Sequence, residues 1–373
     1  MRRMNGDEGA TAIIVALVLV VLLGISAIAL DGGNLIWERR QLQNSADAAA
    51  LSMAIDCAQG NCDAAAEDRA RDIALKNDRR GAHLEDPIDV SEPNQVTVIA
   101  RTGDQSGGPA EIDNWFAPLL GEGLRSSIVR ATASAVWESA VLNPTDLTVP
   151  VTASVCDFSE QYDGGSVSPS DLDEIAGGLP TVEELEEAYG GSIPLESGQL
   201  VQLHGAATID DDWEDACTVS PGFSSEGGGG AGDPNTMPGG FGFLQDDGSC
   251  GVEVLSENAD GTFWAASKQG TNPSAADCIK NAVGSAVTIP IFIEVNRDDK
   301  EFLLYAPAAF YITAARVVGG GAPSNPPGFS CPEGGGPPGH EWCLQGHFVQ
   351  KVEPGPGDPD GTSFGVDAVR LSR

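Results

Sequence analysis

Residues 10–30 read ATAIIVALVLVVLLGISAIAL, and residues 31–55 continue DGGNLIWERRQLQNSADAAALSMAI. The first stretch carries no charge, and Thr11 and Ser26 are its polar side chains. Its 21 residues meet the roughly 20 that a helix needs to cross about 30 Å of hydrocarbon. The apolar region of a secretory leader is shorter, about 7–15 residues. A retained transmembrane helix over 10–30 is therefore expected, with cleavage after Ala29, in the pattern Ala27-Ile28-Ala29, as the alternative. In the second stretch Leu35, Leu42, Ala46, Ala49, Ala50 and Met53 recur at helical spacing, with Glu38, Arg39, Arg40 and Gln43 between them. This predicts an amphipathic juxtamembrane helix over 31–56 with a narrow, Ala-rich stripe. Small side chains allow close approach, so the stripe packs either on the chain's own globular part or on a neighbouring protein, a second copy of the chain included. A helix continuous from Ala10 to Ile55 would be about 69 Å long at 1.5 Å per residue, and Gly32-Gly33 is the place where it would bend.

The flanking charges do not orient this helix. Arg2 and Arg3 precede it and Arg39 and Arg40 follow it, so the positive-inside bias is nearly balanced. Cysteine placement decides the expectation. All eight cysteines, at 57, 62, 156, 217, 250, 278, 331 and 343, lie beyond the helix. An even set in loop-rich sequence reads as disulfides in an oxidising compartment. Residues 1–9 are thus expected in the cytoplasm and residues 57–373 outside it, in a single-pass cell-membrane protein.

Over its 373 residues the chain has 55 acidic and 20 basic side chains, for a formal net charge of -35. Such a surface has no means of neutralising phosphates, which excludes nucleic acid as a partner. It also argues against anionic headgroups as ligands for the soluble part as a whole, and it reads as a solvated, self-repelling surface. At 41% hydrophobic residues there is material for a core, but 47 Gly and 24 Pro require much loop between its segments.

The coarse reading beyond the membrane is α+β. Helices are expected over 67–80, 111–120 and after Thr181, where Thr181 and Glu184 form a capping box and Gly190 is a natural stop. Strands are expected over 95–100, 127–136, 147–155, 286–295, 302–318 with a break at Pro307, 344–352 and 364–371. Together they predict a mainly antiparallel sheet with long Gly/Pro loops. Residues 227–240 (GGGGAGDPNTMPGG) read as a loop or linker that divides two subdomains, and 319–339 are too rich in Pro and Gly for a regular element.

The block Asp7-Glu8-Gly9-Ala10, the apolar run, Leu30-Asp31-Gly32-Gly33-Asn34, and Arg39-Arg40-Gln41-Leu42-Gln43-Asn44-Ser45-Ala46-Asp47-Ala48-Ala49-Ala50-Leu51 resembles the N-terminal domain of the TadE/TadG-like proteins of Flp (Tad) pilus assembly. The resemblance covers residues 7–55, with Ser45 in place of the usual small residue. Weaker echoes are Phe116 to Gly121 leading into Ile128 to Val136, and, of actinobacterial members, Gly239 to Leu244, Gly346 to Val349 and Phe364 to Val366. The resemblance implies a membrane-anchored accessory or minor component of a Tad pilus or secretion machine, with other assembly or envelope proteins as partners. Some longer members of the family carry a von Willebrand A domain, whose metal site begins D-x-S-x-S; no such motif occurs here. Prepilins are cut after a Gly with Glu at the fifth following position; here Thr11 and Ile14 stand at that distance from Gly6 and Gly9, so the anchor is expected to be retained.

The four histidines, His83, His204, His340 and His347, fall in no metal-ligand spacing, and G-x-S-x-G, Walker A and C-x-x-C are absent. No enzyme, no cofactor and no metal is expected. The acidic groups 210–215 (DDDWED) and 358–361 (DPDG) with Asp367 are the candidates for calcium, which needs about six to eight oxygens in a curved loop. Neither has the EF-hand spacing, and solvated acidic loops are favoured. A sequential pairing of the cysteines, Cys57-Cys62, Cys156-Cys217, Cys250-Cys278 and Cys331-Cys343, is the simplest, the first locking the end of the long helix and the last closing the Pro/Gly loop. The residues expected to contact a partner are Asp31, Arg40, Leu42, Asn44, Asp47 and Ala50, for which packing within the chain is the competing role. The functional expectation is a non-enzymatic assembly component. The alternatives are an envelope domain that binds calcium or cell-wall glycan, and an envelope hydrolase acting through an acid pair.

Overall fold

The apolar run and the amphipathic stretch form one helix, α1 (Asp7–Ala58), in the computed structural model of the chain. The structure describes residues 7–119, 122–142, 147–159, 169–202, 217–218, 236–237, 241–246, 250–252, 254–258, 262–268, 273–296, 299–316, 324–331, 343–359 and 362–372. The 52 residues of α1 correspond to about 78 Å, and the helix is continuous through Gly32-Gly33. From Ile13 to Leu30 its large apolar side chains are exposed on every side, whereas Leu42, Ala46, Ala49, Ala50, Met53, Ala54 and Cys57 are buried. The change of environment along one helix separates a span that asks for lipid from a stripe that has protein to pack on. The described residues divide into two compact units, Met1–Trp137 with Val369–Arg373, and Glu138–Ala368.

In the first unit the turn after α1 is closed by the Cys57–Cys62 disulfide. Asp63 then caps α2 (Ala64–Asn77), its carboxylate accepting from the Ala65 and Ala66 N–H groups at 2.9 and 3.0 Å. Ala66, Ala70 and Ala74 recur every fourth residue and are fully buried, so two Ala-lined helices, α1 and α2, lie side by side. Their sheet is β1 (Ala82–Leu84), β2 (Gln95–Thr102) and β5 (Arg130–Ala140), antiparallel in that order, with β5 crossing out of this unit at its end. Val96, Val98, Ala100, Ala131, Ala133 and Ala135 alternate inward with period two, and α1 packs on β2. Between β2 and β5 runs a loop with a miniature ladder, β3 (Ile112–Asp113) on β4 (Ser126–Ser127), and short 3-10 turns at Ala117–Leu119 and Glu122–Leu124. The helix expected over 111–120 is thus only one tight turn, because Asn114 ties back instead to Arg125 and Leu124.

The second unit is built on β13 (Ala286–Asn296) and β14 (Glu301–Arg316), two long, almost wholly buried antiparallel strands. Between β5 and them come β6 (Val151–Ser154), α3 (Val155–Ser159), α4 (Pro169–Gly177), α5 (Val182–Ala188), β7 (Gln199–Gln202), β8 (Cys217–Thr218), β9 (Thr236–Met237), β10 (Phe241–Phe243), β11 (Val254–Glu257), β12 (Phe263–Ala266) and α6 (Pro273–Ala282). After them come β15 (Cys343–Val349), β16 (Lys351–Pro354), β17 (Gly357–Asp358) and β18 (Val366–Ser372), whose end belongs to the first unit. The main sheet runs β10-β6-β13-β14-β12-β11, with β15 also on β14 and β7 on β15, and β6 is parallel to β13. This is the expected α+β architecture with an N-terminal apolar helix, and the capping box at Thr181 and Glu184 is in place at the start of α5.

Pro307 does not break β14. It stands opposite Pro290 in the register. The Pro290 carbonyl accepts from Thr152 Oγ1 and the Pro307 carbonyl from the Phe364 N–H, each at 2.8 Å. Both residues therefore turn their polar groups away from each other, and neither missing N–H is required between these two strands. The core is aromatic: Phe158 stacks on Phe364 and meets Phe348 edge-on, and Phe310 does the same to Phe348, all with centroids within 5.1 Å. Gly346 makes room for the Phe310 ring, since a Cβ there would lie 2.8 Å from it and 2.1 Å from the Tyr311 carbonyl. Disulfides Cys250–Cys278 and Cys331–Cys343 are closed. Cys156 is disulfide-bonded too, and the side chain of Cys217, its expected partner, lies outside the described residues, as does most of 227–240.

Candidate functional site

The six residues expected to meet a partner occupy three different environments along α1. Leu42 and Ala50 are completely buried against the chain's own unit. Arg40 and Asn44 are exposed. Asp47 is half-buried and accepts from Gln43 Nε2 at 2.7 Å, while the same Gln43 nitrogen lies 3.1 Å from the Thr132 carbonyl of β5. The helix thus shows its Ala/Leu stripe to α2 and β2 and leaves a polar edge, with Ile36 and Trp37 beside it, open.

Asp31, the first residue after the apolar run, is a cap. Its carboxylate accepts from the backbone N–H groups of Trp115, Phe116 and Ala117 at 3.0, 2.9 and 2.6 Å. These are the donors that enter the 3-10 turn at Ala117–Leu119, where no carbonyl of the turn itself serves them. Desolvation works against its charge, but the three N–H donors outweigh it and hold the Asp31 carboxyl below its usual value. Residues 115–117 are thereby fastened to the helix at the level where the apolar run ends.

Glu38, placed by its charge on the polar side of the helix, is in fact 1% exposed. It stands four residues before Leu42 and belongs to the buried stripe. Neither of its carboxylate oxygens has a hydrogen-bond partner, nor has Asp78 Oδ2, also buried; Arg80 Nε approaches Glu38 at 3.7 Å. Burial, with the nearby charge of Asp78, raises the Glu38 carboxyl, against the opposing pull of Arg80. The spacing 38, 42, 46, 49, 53 carried this signal in the sequence.

In the second unit Ser197 and His347 form a pair that no motif announced, with Oγ and Nε2 3.2 Å apart. The Ser197 hydroxyl donates to the Pro194 carbonyl at 2.7 Å, so its proton is directed away from the imidazole. Burial lowers the His347 pKa. The pair bridges β15 and the turn before β7. A cavity of about 290 Å³ in the same unit is lined by Leu142, Leu147, Thr288, Pro307, Lys351 and Glu353, among others. Lys351 ion-pairs with Glu353 and reaches Thr288 Oγ1 at 3.1 Å, while Thr288 Oγ1 donates to Glu353 at 2.6 Å. Although desolvation opposes its charge, hydrogen bonds from Lys351 and Thr288 keep the Glu353 carboxyl below its ordinary value. The three groups satisfy one another. Among the described residues no three His, Cys, Asp or Glu side chains are grouped to hold a metal; the acidic stretch 210–215 lies outside them.

Residues 9–54 match the family described as "Putative Flp pilus-assembly TadE/G-like". The matched segment is α1 from within its first turn to just short of its end. No curated protein and no solved structure matches the chain.

Proposed function

We propose that the chain is a non-enzymatic, membrane-anchored accessory or minor component of a Flp/Tad pilus-assembly or secretion system, with its N-terminus in the cytoplasm and residues 57–373 outside. The observation that carries this reading is the coincidence of the TadE/G-like segment, 9–54, with a single helix that is both membrane span and packing element. A pilus-assembly role needs a part held in the bilayer and a folded part held rigidly beyond it. An unbroken helix clasped by α2, β2 and the Asp31-capped loop supplies that stiffness. The disulfides, all beyond the span, support an oxidising compartment for the folded part.

The surface offered to other assembly proteins is, on this reading, the open edge of α1 around Arg40 and Asn44. Leu42 and Ala50 act from within, by holding that edge in place, Asp31 acts through the bonds that fix residues 115–117 to the helix, and Asp47 acts by holding Gln43, whose amide reaches Thr132 of β5. Purification of the full chain from its native membranes tests the proposal. Pilus-assembly ATPase and platform proteins are expected to come with it, and less so with Arg40→Glu. Their consistent absence from the purified wild-type chain would overturn it.

A further inference from the structure

The loop that Asp31 fastens has the character of a second membrane contact. Trp115, whose own N–H donates to Asp31, is 78% exposed, the most open large apolar side chain among the described residues. Leu124, at the other end of the loop, is 48% exposed, and its carbonyl is held by Asn114 Nδ2 at 2.9 Å, so the two ends are side by side. Arg125 beside it is exposed and cationic. Among the described residues of the first unit these side chains stay open, and for a water-facing loop an indole this open gains nothing.

The position of the loop says what covers it. Asp31 directly follows the 21-residue apolar run, so wherever the run spans the bilayer, Asp31 lies at its surface. Three hydrogen bonds hold residues 115–117 to that same level. Indole rings favour the headgroup layer, where the ring is half apolar and its N–H stays wet. The cation at 125 would meet lipid phosphates there, while Glu111 and Asp113, exposed at the base of the loop, would keep it from sinking further.

We infer that Trp115 and Leu124 rest in the lipid headgroup layer, as an interfacial foot that fixes the first unit against the membrane. The inference rests on the membrane-span reading of residues 10–30 and adds a contact to it. Its occupant is the lipid surface itself and not a protein.

Among the described residues every cysteine side chain is in a disulfide, so a nitroxide can be directed to an introduced cysteine, with the unsubstituted chain taken through the same labelling as the blank. The full chain, in vesicles of phosphatidylethanolamine and phosphatidylglycerol, would carry the label at Trp115→Cys, Leu124→Cys, Val20→Cys or Val90→Cys. Val90 is an exposed residue next to Asp89, which bridges the end of β2 away from the loop. Accessibility to oxygen and to a water-soluble nickel complex gives the depth of each label. The expected result is Val20 deep in hydrocarbon, Val90 in water, and Trp115 and Leu124 between them, several-fold less open to nickel than Val90. Adding Asp31→Ala should move the Trp115 label toward water. If the Val20 label is deep and the Trp115 label is as open to nickel as that at Val90, the foot is overturned and the anchor stands. A Trp115 label shielded from both oxygen and nickel would mean a protein cover and overturn it equally. If the Val20 label is in water, the span itself fails.

Discussion

Glu38 brings a carboxyl into a stripe otherwise made of Leu, Ala and Met, and its two oxygens have no hydrogen bond there. An acid whose pKa is higher in the folded state holds its proton more tightly when folded, so the folded state is favoured at low pH. That advantage is lost as pH rises from the ordinary glutamate value through the raised folded value. Glu38→Gln keeps the size and removes the charge. It is expected to raise the unfolding temperature at pH 7 and to flatten its decline above the ordinary glutamate pKa, as read by thermal unfolding across pH. A lowered midpoint at pH 7 would show that the ion pair with Arg80 outweighs the burial. Asp31 runs the other way. Its depressed carboxyl contributes stability above the ordinary aspartate value, and the contribution fades as pH falls through its lower folded value. Asp31→Ala should speed amide exchange at Trp115, Phe116 and Ala117 without altering exchange in the second unit. Leu42 is a packing residue, and Leu42→Ala should cost about 2–5 kcal/mol in denaturant unfolding. Asp367 follows the Glu38 sign: burial raises its carboxyl to about 6, so Asp367→Asn should raise the unfolding temperature at pH 7.

At the scale of elements, the close contact of α1 with α2 depends on alanine at every inward position of α2. Ala70→Leu puts a branched side chain where there is no room and should destabilise by about 1–3 kcal/mol in the same unfolding measurement. The reading of these elements from sequence depended on whether the signal was local. The apolar run, the Ala stripe and the Thr181 capping box are periodic or short-range, and each is where its spacing put it. Pro307 misled because its effect depends on the partner strand: opposite Pro290, the missing N–H has no ladder bond to make. The 111–120 segment misled because Asp31, some eighty residues earlier, supplies the acceptor that a longer helix would have supplied itself. Glu38 was legible in the spacing but was hidden by the assumption that charge marks the polar face.

For the whole molecule, the first 58 residues combine the membrane span with the packing face, and this is the part that a family pattern recognises. The second unit, with its aromatic core and staples, gave little advance signal of its strand pairings, since strands distant in sequence meet there. On the proposed function, α1 presents one edge inward and the other to assembly proteins beyond the membrane. In-cell photo-crosslinking from α1 tests this most directly. A crosslinking residue at Arg40 or Asn44 is expected to capture another Flp/Tad assembly protein, and one at Leu42 only the chain itself. Capture from Leu42 but not from Arg40 or Asn44 would contradict the account.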